Sequence, residues 1–418
     1  MKLQTQKQNV LVVGSGWAGS TLASNLSKAK HSITVISPSP TTPYTPLLAS
    51  AACGLYDFSL VETPVRRQHS PIKFIQGKVR TIDFEKKTCR CRPFFSDLEE
   101  ERFELSYDII ILAPGCLNQT FGTPGVVENA CFVRNVADAQ VIRQRVADCF
   151  EKASLPGKTE QEKRNLLHFV VVGGGPTGIE LSAELCDLFE HSFAKLYPQL
   201  KGKPTIAIHD VAPHILSVFD AKLQDYALSS FSKRGVEVIT SSHIQRVDAD
   251  SITTAEHGKV PAGLVIWATG NRCTRMVEDL PVALTPRLPR ILTDDFLRVY
   301  GKDEQILPEA YALGDAADIK DGSLPTTAEV ACQKAEYLSK ALNGGFEAPF
   351  KYQQKAIVAY LGQRDGVIAG EEHNLTGQRA WMAWRSKNFW WTRSWRQKVL
   401  IVVAWILDWL VGRGIAPV

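Results

Sequence analysis

Two glycine-rich turns of one design predict an α/β chain with two Rossmann-like dinucleotide-binding domains. They are Gly14-Ser15-Gly16-Trp17-Ala18-Gly19 and Gly173-Gly174-Gly175-Pro176-Thr177-Gly178, and each ends a short β-branched strand. A third observation adds a small C-terminal membrane-anchoring domain. Seven of the nine tryptophans lie at or beyond Trp381, interleaved with basic residues and followed by a short apolar run. The expected layout is one nucleotide domain over 1–135 that resumes over 285–345, a second over 165–270, and a membrane-associated domain over 350–418.

Both turns match G-x-G-x-x-G. The first glycine (Gly14, Gly173) permits the tight turn, and the second (Gly16, Gly175) lets backbone approach a pyrophosphate. The third (Gly19, Gly178) allows close helix–strand packing. A helix then presents free N–H groups and a positive dipole end to the anion. Two such cradles call for two dinucleotides.

In the first copy Asn9 to Val13 reads as a buried strand, Ser20 to Lys28 as its helix and Ile33 to Ile36 as the next parallel strand. An acid is expected at the end of that strand to hold a ribose. Ser37 stands there instead, and a hydroxyl makes a weaker bond than a carboxylate. Pro38 to Pro46 is a proline-rich turn. Short β segments fill about 72–110 and end in Tyr107 to Gly115, a strand-to-loop return in which Pro114 stands between Ala113 and Gly115. Residues 136–153 read as a helix and Leu155 to Arg164 as a polar linker.

The second copy has its strand at Phe169 to Val172 and a long helix from about Pro176 to Tyr197. A further strand, Thr205 to His209, is followed by Asp210. Here the ribose-binding acid is present, and a carboxylate repels a 2′-phosphate, so NADH is expected over NADPH. His209 and His214 are the residues that would soften this preference. Val260 to Gly270 gives an intact Ala-Thr-Gly return, Gly314-Asp315 ends a strand at Tyr311 to Leu313, and residues 324–338 form a loop entering a helix.

Composition sets the bounds. At 418 residues, 44% hydrophobic and 22% charged, the chain has room for two or three globular domains, and a net charge of +4 is too mild to argue nucleic acid. Nine cysteines with no C-x-x-C argue against a disulfide framework. Met1 to Gln8 is polar, and no signal peptide or Arg-rich transit segment is legible before the first strand. From His373 to Leu407 there is no acidic residue, while Arg379, Arg385, Lys387, Arg393, Arg396 and Lys398 alternate with tryptophans. Val399 to Val411 is apolar except Asp408. Thirteen residues give about 20 Å of helix, short of the ~30 Å hydrocarbon core, so the expected helix lies in the membrane interface.

These features in this order resemble the two-dinucleotide flavoprotein reductases of the pyridine nucleotide-disulfide reductase type, and within them the type II (non-electrogenic) NADH:quinone oxidoreductases. The resemblance covers nearly the whole chain. It rests on Tyr44-Thr45-Pro46-Leu47-Leu48, Gly173 to Glu184, Leu196-Tyr197-Pro198, Pro261 to Gly270, Asp295 to Val299, Gly314-Asp315, Pro325 to Gln333 and Trp405 to Arg413. It implies FAD in the first cradle, with Ser37, Pro46, Leu47, Gly115, Gly314 and Asp315 around it. NADH is implied in the second, with Asp210 and Gly270. Hydride would pass from NADH to flavin and then two electrons to a membrane quinone without proton pumping. Glu180 takes the place of a family carboxylate near nicotinamide and flavin, expected to orient the nicotinamide or relay a proton. Ala328-Glu329-Val330-Ala331-Cys332-Gln333 stands where the family lines its quinone channel with Ala-Gln-x-Ala-x-Gln, so Glu329 replaces a glutamine and Gln333 remains. No metal is implied. A respiratory enzyme peripheral to a cytoplasmic or mitochondrial inner membrane, as a monomer or homodimer, is the expected setting.

Three other readings compete. Cys53-Gly54-Leu55 falls where single-cysteine peroxide or disulfide reductases hold their redox thiol, although its neighbours in sequence offer nothing to lower its pKa. The same flavin machinery could also serve a dedicated small molecule in biosynthesis, or persist in a scaffold that has lost turnover.

Overall fold

The computed structural model describes residues 7–68, 72–370, 374–392 and 394–414. The polar residues Met1 to Gln6, together with His373 and Arg393 of the basic tail, lie outside the described residues. The chain forms two compact units. One comprises 1–43, 62–117 and 271–353; the other comprises 44–61, 118–270 and 354–418.

The first unit is built on a ten-stranded sheet. Five parallel strands at its centre run in the order Lys73–Asp83, His31–Ser37, Gln8–Val13, Ile109–Leu112, Ile306–Ala312. In chain order this is 3-2-1-4-5, so the winding reverses between Gln8–Val13 and Ile109–Leu112. Such a reversal opens a crevice at the carboxyl ends of the strands, where α/β sheets bind ligands. The first cradle follows Val13 at that point. Both faces of these strands are covered, and Val10, Val12, Ile110, Ile111 and Leu112 are all essentially inaccessible. That explains why the strands read as continuous apolar runs rather than alternating ones. The helix Trp17–Asn25 starts at the cradle itself, three residues before the expected Ser20. The helix Ala328–Gly344 packs against it.

The second unit repeats the plan with five parallel strands, in the order Cys131–Phe132, Leu264–Trp267, His168–Val172, Thr205–His209, Val236–Ile239. The reversal lies between His168–Val172 and Leu264–Trp267, directly beneath the second cradle. From Pro176 the chain stays helical to Leu196, as expected, but residues 188–193 widen into a π-helical turn between the α-helical stretches Pro176–Asp187 and Ala194–Leu196. The expected linker 155–164 is instead partly a helix, Glu160–Leu166. Thr159 accepts from the Glu162 amide while the Glu162 side chain accepts from the Thr159 amide. This reciprocal cap overrides the polar composition.

The tail belongs to this second unit. A hairpin, Ile357–Gly362 with Asp365–Ala369, precedes the helices Gly377–Trp391 and Trp395–Val411. The last helix begins four residues before the expected Val399, because the Ser394 side chain caps it by accepting from the Gln397 amide. Arg385 lies between the Trp381 ring at 4.6 Å and the Trp405 ring at 4.7 Å and so ties the two helices together. Among the described residues, no helix is long and apolar enough to cross a membrane.

Candidate functional site: two nucleotide cradles and a buried acidic helix face

The two cradles have the same geometry. Gly14 and Gly173 have φ of +106° and +119°, a region that L side chains rarely adopt. A Cβ at Gly19 would lie 2.1 Å from the Gly14 carbonyl oxygen, and one at Gly178 would lie 2.0 Å from that of Gly173. Only glycine lets either helix come this close to its own turn. By contrast, a Cβ at Gly16 or Gly175 would meet nothing within 4 Å. The middle glycines face open space, which is the arrangement a pyrophosphate needs against bare backbone.

The residue ending the second strand of each domain reaches its cradle. In the first unit the Ser15 hydroxyl donates to Ser37 Oγ at 2.8 Å. In the second, the Gly174 amide donates to the Asp210 carboxylate, which also accepts from the Ala212 amide at 2.7 Å. Ser37 and Asp210 thus hold equivalent places, one neutral and one anionic. His209 cannot soften the Asp210 charge. Burial lowers its pKa to about 4, so the ring is neutral, and its Nδ1 lies 2.9 Å from the Ser242 hydroxyl.

The remaining first-unit candidates cluster by chain position at the carboxyl ends of the strands. Gly115 (φ +68°) follows Ile109–Leu112, and Gly314 (φ +78°) follows Ile306–Ala312. The Asp315 carboxylate accepts from the Cys116 thiol at 3.2 Å. Along the helix Ala328–Gly344, the Gln333 amide donates to Glu329 Oε1 and to the Gln353 carbonyl, both at 2.9 Å, while its own oxygen accepts from the Gln353 amide. Both amide hydrogens of Gln333 are therefore engaged in holding Glu329 and the irregular segment around Gln353.

In the second unit, Gly270 (φ +53°) ends the return loop; Thr269 and the Trp267 indole both donate to the Gln119 carbonyl, at 3.2 and 2.9 Å. Leu47 is fully buried, and Pro46 is half-buried in the short 3-10 turn before it.

Glu180 lies on the helix that leaves the second cradle. The residue keeps part of its surface, but its carboxyl is enclosed. Oε1 accepts from the Trp384 indole at 3.1 Å and from the Tyr360 amide at 3.3 Å. The two aromatic rings stack with centroids 5.0 Å apart. Burial raises its pKa to about 8, against the lowering effect of these two donors; Glu184 adds to the rise and Lys387 opposes it. At neutral pH the group is a carboxylic acid.

One turn and two turns further along the same face are Glu184 and Asp187. Glu184 accepts from Ser50 at 2.6 Å and pairs with Arg413 at 2.8 Å; Asp187 pairs with Arg234 at 2.6 Å, with Arg413 at 3.6 Å, and accepts from Tyr360. Sequence reasoning named Arg413 only as part of the tail. Its partners Glu184 and Asp187 are more than two hundred residues away; the nearby Asp408, at 3.9 Å, is the one local partner among the described residues. Glu190 and His191 complete a possible metal-ligand set with Asp187, but Asp187 is already saturated by these partners.

Cys53 is 1% exposed, and burial, together with Glu184, raises its pKa well above that of an ordinary thiol. Such a group does not ionise readily, and a redox thiol must. A cleft of about 390 Å³ in the second unit is lined by Asn165, Leu166 and Gly263, at the amino ends of the strands. It is at the wrong end of the sheet for a nucleotide.

The sequence from residue 8 to 335 matches the pyridine nucleotide-disulphide oxidoreductase family. A probable NADH dehydrogenase of Dictyostelium discoideum is 34% identical over 98% of this chain and 91% of its own length. The internal alternative NAD(P)H-ubiquinone oxidoreductase A1 of Solanum tuberosum, a mitochondrial protein, is 31% identical over 99% and 88%. The external enzyme B2 of Arabidopsis thaliana, also mitochondrial, is 35% identical over 79% of this chain, which spans 58% of that longer protein. In architecture, the Plasmodium falciparum NDH2 solved with NADH superposes with a TM-score of 0.91 over 98% of this chain and all of that one, at 24% identity. The chain belongs to the pyridine nucleotide-disulphide oxidoreductase family and, within it, to the type II NADH:quinone oxidoreductases.

Proposed function

We propose that this protein is an FAD-dependent NADH:quinone oxidoreductase working from the surface of a membrane, with the overall reaction NADH + H⁺ + quinone → NAD⁺ + quinol. The observation that carries the reading is the pair of like cradles at strand-order reversals, one ending on Ser37 and the other on Asp210. The Ser37 cradle, with Gly115, Gly314 and Asp315, suits a resident FAD. The Asp210 cradle suits the exchanging NADH, since a carboxylate accepts from both ribose hydroxyls. Bound FAD supplies a two-electron carrier between NADH and quinone.

The residues around it supply binding and protons. Free N–H groups at the start of the helix Pro176–Asp187 and its dipole hold the NADH pyrophosphate. Protonated at neutral pH, Glu180 gives a proton when the quinone is reduced. Glu329 faces the quinone, and Gln333 acts by fixing its carboxylate through the 2.9 Å bond.

Membrane attachment falls to the helix Trp395–Val411. Its 17 residues span about 25 Å. Gln397 and Ile401 face inward, while Val399, Val402, Val403, Ile406, Leu410 and Val411 stay exposed, with Trp395 at 77% and Trp409 at 73%. A contiguous apolar stripe with tryptophans at both ends and basic residues near its start lies in a lipid interface rather than across it. The names of relatives described as mitochondrial fit a mitochondrial setting for that membrane.

The test is purified protein with lipid vesicles. NADH should bleach the visible flavin band and a short-chain quinone should restore it. Protein without that band, or a reduced flavin that quinone does not reoxidise, overturns the assignment.

A further inference from the structure

The reaction above uses Glu180 but leaves the ion cluster beside it without a task. Three acids, Glu180, Glu184 and Asp187, share one face of a single helix over two turns. Like charges four residues apart repel, and the repulsion is stronger away from water. The cluster answers this with two buried arginines. Arg413, with a 7% exposed side chain, bonds the Glu184 carboxylate at 2.8 Å and the carbonyls of Glu184 and Cys53 at 3.2 and 3.3 Å. Arg234, also 7% exposed, bonds Asp187 at 2.6 Å and the Leu361 carbonyl at 3.0 Å. A guanidinium does not shed its proton. Burial opposes the charge on Arg413, but Glu184 and Asp187 outweigh that and hold its pKa up. Burial likewise pushes Glu184 towards its neutral form, and Arg413 pulls it back. The 2.8 Å pair with Arg413 favours the ionised form of Glu184, because a neutral Glu184 would leave a buried guanidinium half-compensated. Glu190, 3.4 Å from Arg234, and Asp408, 3.9 Å from Arg413, add acids at the edge of the cluster, while the Glu184–Arg413 pair itself carries no net charge.

We infer that Glu184 and Arg413 are a positioning pair for Glu180: by closing one buried ion pair a single helical turn away, they offset each other's charge at Glu180 and so decide whether it carries a proton. The inference rests on Glu180 being the proton donor of the proposed reaction. The groups facing Glu180 within this unit are the Tyr360 amide, the Trp384 indole, Glu184 on its own helix and Lys387 on the tail helix. Of these, Lys387 favours ionisation and Glu184 opposes it. Removing the Glu184 charge takes away the carboxylate that opposes ionisation of Glu180 and leaves Arg413 only the more distant Asp187 at 3.6 Å and Asp408 at 3.9 Å, so Glu180 ionises more easily. Removing both partners of the pair restores the balance. Because Arg413 lies just beyond the last tail helix, the seat of that helix and the charge state of Glu180 are joined at one residue.

The experiment is the pH profile of quinone reduction by the FAD-loaded, vesicle-bound enzyme, read together with the infrared band of protonated carboxyl groups. The parent should lose activity on the alkaline side as Glu180 ionises, and E180Q should lack that limb. E184Q should move the limb down by about one pH unit, as a cation near a carboxyl does. E184Q/R413M should bring it back. Ser50→Ala, a milder change that only removes a donor from the Glu184 carboxylate, should shift the limb in the same downward direction by less, and it serves if E184Q does not accumulate. An E184Q limb that coincides with the parent's overturns the pair, as does a double variant that stays shifted like E184Q. If E180Q keeps the alkaline limb, the proton-donor role of Glu180 fails first, and the pair with it. The two failures are thereby told apart.

Discussion

The Asp210 carboxylate accepts a hydrogen bond from the Gly174 amide, so the acid proposed to select the ribose is anchored to the turn proposed to hold the pyrophosphate. Asp210→Ala removes both the ribose acceptor and this anchor. A lost charge-assisted hydrogen bond is worth roughly 1.5–3 kcal/mol, so the NADH KM should rise at least about tenfold. NADPH, no longer repelled, should improve relative to NADH. Steady-state kinetics with both nucleotides check this, and an unchanged NADH/NADPH ratio would reject Asp210 as the ribose ligand.

Glu180→Gln keeps an acceptor for the Trp384 indole and the Tyr360 amide but removes the proton. Its pKa, raised by burial from 4.5 to about 8, means the folded protein holds this proton where the unfolded chain has lost it. The contribution to stability is therefore full below about pH 4.5 and falls as pH rises through about 8. The parent should melt at progressively lower temperature across that window, and E180Q should show a flatter profile. Thermal melts of the flavin-loaded protein at several pH values measure it, and parallel profiles would mean Glu180 is ionised throughout.

Much of this architecture was legible in the sequence, for physical reasons that differ by element. The strands Gln8–Val13 and His168–Val172 declare themselves because a parallel strand covered on both faces needs an unbroken apolar run. The cradles are legible because a backbone that must pass 2 Å from a would-be Cβ admits only glycine. The helix Glu160–Leu166 was missed because its composition is polar throughout, although the Thr159/Glu162 capping pair marked its start. The hairpin Ile357–Gly362 with Asp365–Ala369 was missed because Gln363 and Arg364, both at positive φ, form its turn without the usual glycine or asparagine. Arg413 was illegible for a deeper reason. Its burial comes chiefly from Glu184 and Asp187, and no pattern within a window connects residues that far apart.

Gln333→Ala should harm quinone reduction more than ferricyanide reduction. The variant loses one bond to Glu329 and both bonds to Gln353, loosening the carboxylate assigned to the quinone. Ferricyanide takes electrons from reduced flavin without entering a quinone site. Rates with the two acceptors, measured on one preparation with equal flavin content, decide the matter. Equal losses would make Gln333 a brace of the fold only.

Deleting the tail is a poor test of membrane attachment in this protein. The truncation would strip Trp384 from Glu180 and Arg413 from Glu184, leaving buried acids without partners. Substitution on the outer stripe separates the two roles. Val402 and Ile406 are 39% and 50% exposed, turned away from the buried Ile401. Replacing both with Asp places two charges where the helix would enter lipid, while the buried Gln397 and Ile401 that seat the helix are left in place. The double variant should keep its flavin and its melting temperature, stay in solution when vesicles are floated, and reduce a water-soluble quinone at close to the parent rate while its rate with a lipid-borne quinone falls several-fold. A variant that still floats with the vesicles would move the anchor away from this stripe.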